Sequence, residues 1–230
     1  MTTENILLEL KSLSNATHLA GMSRYGIDNS KAYGVKTPDI RKLAKKLGRN
    51  HKLALELWKT DVHEARMLAA MLLDTKLLTN KEFDALVSDF DSWDMCDCTC
   101  SVLHQSPFAV NKITEYADNQ NEFVKRTAFV LMCTFAVHHK DERDDFFYPF
   151  LEIIEREAWD ERNFVKKAVN WALRQIGKRN NHLRIKAIET AKKIKLQNTP
   201  SARWIANDAL RELNDTKIVQ RLVEKDIKSS

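Results

Sequence analysis

The feature that most constrains the fold is a helical pattern that returns along the chain. FVKRTAFVLM from Phe123 lines up with FVKKAVNWAL from Phe164, 41 residues later. VNWALRQI from Val169 lines up with ANDALREL from Ala206, 37 residues later, and HEARMLAAMLLD from His63 has a similar cast. A short unit of this kind cannot bury its apolar face alone, so neighbouring copies must stack to make a continuous core. Only 5 Gly and 4 Pro occur in 230 residues, which argues against a β-protein with many tight turns.

Self-similarity at about 40 residues, in helix pairs, is the period of HEAT or armadillo-type repeats. The predicted fold is therefore all-α, a solenoid of HEAT-like repeats with a concave basic face. No Pro/Gly/Ser-rich linker interrupts it, so one domain is expected over residues 1–230. An N-terminal helix is followed by an irregular stretch, SRYGIDNSKAYGVKTP. Thr37-Pro38 then opens a helix, with Thr37 as N-cap and Pro38 at the first position. Further helices are expected at 52–59, 62–75, 80–88, 94–104, 111–118, 122–138, 146–156, 163–178, 182–194 and 201–213.

The formal charge is only +5, but it is unevenly distributed. Residues 141–160 hold eight acids against two Arg, and residues 160–196 hold eleven Lys/Arg against three acids. A basic segment of this kind reads either as a solvated helix face or as the footprint of a polyanion. No apolar run approaches the ~20 residues that span a bilayer, and MTTENILLELKSL lacks a signal-peptide core. The expectation is a cytoplasmic monomer with no membrane partner and reduced cysteines. Cys96 and Cys98 would point about 200° apart on a helix, which disfavours a zinc site and favours small apolar filling. No metal is expected.

Helical wheels indicate which faces are free. On the helix from Asn163, Val165, Ala168, Val169, Ala172 and Ile176 form the core stripe. Lys167, Trp171, Arg174 and Lys178 fall opposite. An aromatic set among cations suits nucleic acid, where cations meet phosphates and the ring meets base or sugar. In DSWDMCDCTCSVLH, Met95, Cys98, Thr99, Val102 and Leu103 form the inward side, with Trp93, Asp97, Cys100 and His104 opposite. Trp93 and Asp97 are i, i+4 neighbours. On the helix from Glu122, Arg126 lies opposite the stripe of Val124, Thr127, Ala128, Leu131, Met132 and Phe135, matching Lys167 in the next repeat. Trp204 is expected to pack between the last repeats. A carboxylate on a phosphate-binding face repels the ligand, so Asp97 there calls for a chemical reason.

These residues give the chain a resemblance. MSRYGIDNSKAYGVKTPDIRKL, SWDMCDCTCSVL, FVKRTAFVL and FVKKAVNWALRQIGKRN resemble the AlkD-like DNA alkylation repair enzymes, the HEAT-like repeat DNA glycosylases. The resemblance implies a concave face that grips double-stranded DNA containing N3- or N7-alkylated purines and excises them. It implies Asp97 as the catalytic carboxylate and Trp93 and Trp171 as the aromatics flanking the lesion's deoxyribose. It makes Arg126 and Arg174 backbone contacts and places Tyr25, Lys36 and Thr37 in an N-terminal DNA-contact segment. It implies no cofactor, and reading of the lesion without a base-flipping pocket. A carboxylate and aromatic faces suit such chemistry, because the sugar develops oxocarbenium charge as the base leaves. Two other readings compete: a non-catalytic solenoid that binds duplex or branched DNA, and a HEAT-type protein scaffold.

Overall fold

The structure, a computed structural model, describes residues 1–229, apart from the side chains at 226, 228 and 229. Among these residues the regular structure is entirely helical, as the scarcity of Gly and Pro requires. No helix is long and apolar enough to cross a membrane. The chain forms two compact units, one ending at Ala109 and one starting at Val110.

The first unit contains α1 (Thr3–Ser12), α2 (Ala16–Met22), a 3-10 turn at Ser23–Tyr25, α3 (Thr37–Leu47), α4 (His51–Trp58), α5 (His63–Leu72), α6 (Asn80–Ser88) and α7 (Trp93–Leu103). Here α5 packs against α4 within a pair and against α3 and α7 on either side. Local sequence sets the helix starts. Asn50 accepts from the Leu53 amide of α4, and Thr79 and Glu82 form a reciprocal capping box on α6. At α3 the expectation is off by one residue. Lys36 holds the N-cap position, Thr37 is already helical, and no side chain caps the turn.

The second unit contains α8 (Ala109–Tyr116), α9 (Glu122–His138), a 3-10 turn at Asp144–Phe147, α10 (Tyr148–Glu157), α11 (Asn163–Gly177), α12 (Asn181–Ile194), a 3-10 turn at Lys195–Gln197, α13 (Pro200–Leu213) and α14 (Thr216–Ser229). The series α9–α11–α13 forms one layer, and α10–α12–α14 forms the other. The predicted core stripe of α11 is fully buried. Gly177 lets α11 approach its neighbours: a Cβ there would lie 2.8 Å from Leu213 and 2.9 Å from Ala187.

The repeat is not uniform. In the first unit, side chains bridge successive repeats at a separation of 31 residues, as in His63–Asp94. In the second unit the separation is longer, 34 in Lys178–Glu212 and 38 in Asn170–Asp208. The 40-residue period read from the sequence belongs to the second unit alone.

Helix α9 is buried all round from Val124 to Ala136. Lys125 lies inside, bonded to Glu157 at 2.8 Å and Asp160 at 2.9 Å and set over the Trp159 ring. Asp160 also accepts from Arg162. Burial works against the Asp160 carboxylate, but the Arg162 and Lys125 hydrogen bonds outweigh it and hold its pKa at about 2. The acidic segment thus supplies partners that tie α9 to α10 and the start of α11.

Candidate functional site

In the first unit, Trp93 opens α7 and is half-buried. Its indole Nε1–H donates to the backbone oxygen of Tyr25 at 2.9 Å, which fixes the ring against the 3-10 turn. Beside the ring is a cavity of about 570 Å3. Tyr25, Lys36, Thr37 and Trp93 all line it, so the structure brings together four residues singled out from distant sequence segments. Met22, Ile27, Val35 and Met67 give it apolar walls.

His63, Glu64 and Asp94 also line this cavity and escaped the sequence reading. Glu64 is buried, and its carboxylate accepts from the backbone amides of Tyr33 (2.9 Å), Gly34 (2.6 Å) and Val35 (3.1 Å). It thereby pins the irregular stretch to α5. Gly34 has a φ of +75°, and a Cβ there would lie 2.5 Å from the Asn15 carbonyl oxygen. Only glycine fits that turn. His63 Nε2 lies 3.0 Å from Asp94 Oδ2. Burial disfavours the His63 imidazolium, but the Asp94 hydrogen bond and charge, helped by Glu64 and Asp91, raise its pKa. Burial likewise disfavours the Asp94 carboxylate, and the His63 partner reverses this and lowers its pKa. The available signal was a His-Glu pair starting a helix whose last six residues are all apolar.

Asp97 lies one turn along α7 from Trp93 and is half-buried. The rest of α7 departs from the wheel. Met95, Thr99 and Leu103 are buried as expected, but Cys96, Cys100 and His104 are buried too, and Cys98 and Val102 are half-buried. The helix is covered on more than one side, which a two-faced wheel does not anticipate. Burial, then the Asp94 charge, pushes the Cys98 thiol up to about 12, with Asp97 adding to the effect. Cys98 is therefore a neutral thiol near its two acidic neighbours. The four cysteines form no disulfide, and no cluster of metal-binding side chains occurs among the described residues.

In the second unit, the expected cationic stripe on α11 is only partly available. Lys167 is exposed and Trp171 is half-buried. Arg174 is ion-paired with Glu212 and lies 3.5 Å from Asp208, and Lys178 bonds Glu212 at 2.6 Å. Both acids belong to α13, the next helix of that layer. Asp208 also accepts from Asn170 at 2.8 Å.

Arg126 is a correction. It is 5% exposed and donates to the Phe164 carbonyl oxygen at 2.6 Å, joining α9 to α11 instead of presenting a free guanidinium. Arg179 is also internal, donating to four carbonyl oxygens and covering the Phe147 ring. Trp204, expected inside, is 42% exposed, with Lys166 over its ring.

No curated protein matches the chain. A solved structure described as "A new family of proteins related to the HEAT-like repeat DNA glycosylases with affinity for branched DNA structures" is similar to it, with a TM-score of 0.77 and 20% identity. The match covers 92% of this chain and 95% of that one, and establishes the HEAT-like repeat fold. The family described as DNA alkylation repair enzyme matches residues 6–213. With that match spanning nearly every helix described above, the chain belongs to the DNA alkylation repair enzyme family.

Proposed function

We propose that this protein hydrolyses the N-glycosidic bond of N3- and N7-alkylated purines in duplex DNA. The observation that carries the reading is the Trp93–Asp97 pair on α7, with the Trp93 ring pinned by the Tyr25 carbonyl beside an open cavity, in a chain of this family. An alkylated purine carries positive charge and leaves as a neutral base, taking the bonding pair. The sugar becomes oxocarbenium-like. The Asp97 carboxylate stabilises that charge and orients a water, whose oxygen bonds to the anomeric carbon as its proton is released. The face of Trp93 favours the same cation. Lys167, Arg174 and Lys178 bind backbone phosphates, the last two by exchanging Glu212 for phosphate. Tyr25, Lys36 and Thr37 contact the strand near the cavity. Arg126 acts by holding α9 to α11.

The test is release of 7-methylguanine or 3-methyladenine from an alkylated duplex under single-turnover conditions. Wild type releases free base, and Trp93→Ala slows release by at least about tenfold, or roughly 1.4 kcal/mol of barrier. Failure of wild type to release either base overturns the proposal. A second reading, binding without excision, draws on the branched-DNA affinity described for the similar structure. It predicts tighter binding to a four-way junction than to duplex, with no base released from either.

A further inference from the structure

The family match ends at Leu213, and α14 (Thr216–Ser229) lies beyond it. This helix was also absent from the sequence expectations. Within the second unit it borders a cavity of about 340 Å3 whose lining includes the ends of α9 and α11. Lys140, Lys178, Arg221 and Lys225 line it, over an apolar floor that includes Val137 and Leu222. Arg221 and Lys225 are i, i+4 neighbours and share one face of α14. We infer that this cavity is a phosphate-binding site, formed by α14 against α9 and α11, that takes a phosphodiester of nucleic acid or a free phosphate.

The charge balance supports the inference. Lys178 is paired with Glu212 at 2.6 Å, and Lys225 donates to the Arg179 carbonyl oxygen at 2.7 Å. Neither Lys140 nor Arg221 has a carboxylate partner among the described residues, and both are exposed. Burial lowers the pKa of Lys140, and the nearby charges of Arg179 and Lys225 lower it further, so like charges are crowded here. Capping of helix C-termini explains Arg179 and Lys225, which bond carbonyl oxygens. It does not explain Lys140 and Arg221. A multivalent oxyanion relieves the crowding by accepting from several donors at once. The apolar floor suits the sugar of a nucleotide unit, and the volume exceeds the needs of one phosphate group. The strand source rests on the DNA-binding reading, whereas the phosphate chemistry does not.

The experiment compares the full chain with K140Q/R221Q, both solvent-facing changes, and with K192Q/K195Q, which removes two exposed cations elsewhere. Affinity for undamaged duplex is measured from low to moderate salt, so base release plays no part and the two readings fail separately. Each phosphate contact contributes roughly 0.9 to the salt slope. K140Q/R221Q is expected to lower the slope by nearly two and to weaken binding on the order of 10- to 100-fold at about 0.1 M salt. K192Q/K195Q should change it far less. In parallel, inorganic phosphate is titrated while the α14 amide resonances are followed. Shifts in wild type that vanish in K140Q/R221Q, without any change in duplex slope, identify free phosphate as the source. Equal slope loss in both double variants, or an unchanged slope together with no phosphate-induced shifts, overturns the inference.

Discussion

In the first unit some of the groups that tie the repeats together also border open space. His63, Asp94 and Glu64 line a cavity together with Trp93 and Lys36. In the second unit most charged groups fasten one repeat to the next: Lys125 to Glu157 and Asp160, Arg126 to the Phe164 carbonyl, and Arg174 and Lys178 to Glu212. The same kind of helical repeat uses charge beside a void in one unit and to bolt layers together in the other. Cation count is therefore a poor measure of a binding surface. Of the four residues on the expected α11 stripe, Lys167 is the one that is exposed.

The largest effect should come from unfastening the second unit. Lys125→Met removes the buried cation that Glu157 and Asp160 share and leaves them with Arg156 and Arg162 alone. It should cost about 3–5 kcal/mol in urea unfolding, as breaking a buried pair does. Next is the first unit's tight turn. Gly34→Ala places a side chain in the left-handed region, at about 1–3 kcal/mol, and adds a clash with the Asn15 carbonyl. A drop in the unfolding midpoint at constant slope would confirm it, and an unchanged midpoint would show that the turn can rearrange.

Glu212→Gln bears on the comparison through binding. It removes the carboxylate charge that neutralises Arg174 and Lys178, so duplex affinity should rise several-fold and the salt slope should steepen by about one. Unchanged binding would mean that neither cation reaches phosphate. The smallest effect concerns pH. His63 is raised, so its contribution to stability is complete below its ordinary value of about 6.5 and is lost as pH climbs through the raised value. Asp94 is lowered, so its contribution is complete above about 3.9 and is lost as pH falls through the depressed value. The pair stabilises most between those ordinary values. Melting temperature should fall modestly from pH 6 to 8 in wild type, and less in His63→Gln.

Much of the fold was legible in the sequence. The bounds of α6 and α9 match the expectation, and the α11 core stripe is buried as the wheel required. Periodicity reads one helix at a time, and that limit explains the misses. The neutralisation of Arg174 and Lys178 depends on an acid 34–38 residues away. The His63–Asp94 bond links positions 31 apart. Arg126 appeared free because its own helix has a complete apolar stripe, but α11 covers the opposite side. The N-terminal segment was the better case. Tyr25, Lys36 and Thr37, taken from resemblance, line one cavity with Trp93 because Glu64 and the Trp93 indole fasten the irregular stretch.

The proposed function rests on Asp97 as the carboxylate that drives base loss. The most direct measurement is single-turnover release of 7-methylguanine from alkylated duplex by Asp97→Asn beside wild type, with duplex affinity measured on the same samples. Loss of an electrostatic stabiliser predicts release slowed by roughly 100-fold or more. Affinity should hold or tighten, because a negative charge has been removed from the face proposed to meet DNA. Release at the wild-type rate by Asp97→Asn would rule out Asp97 as that carboxylate.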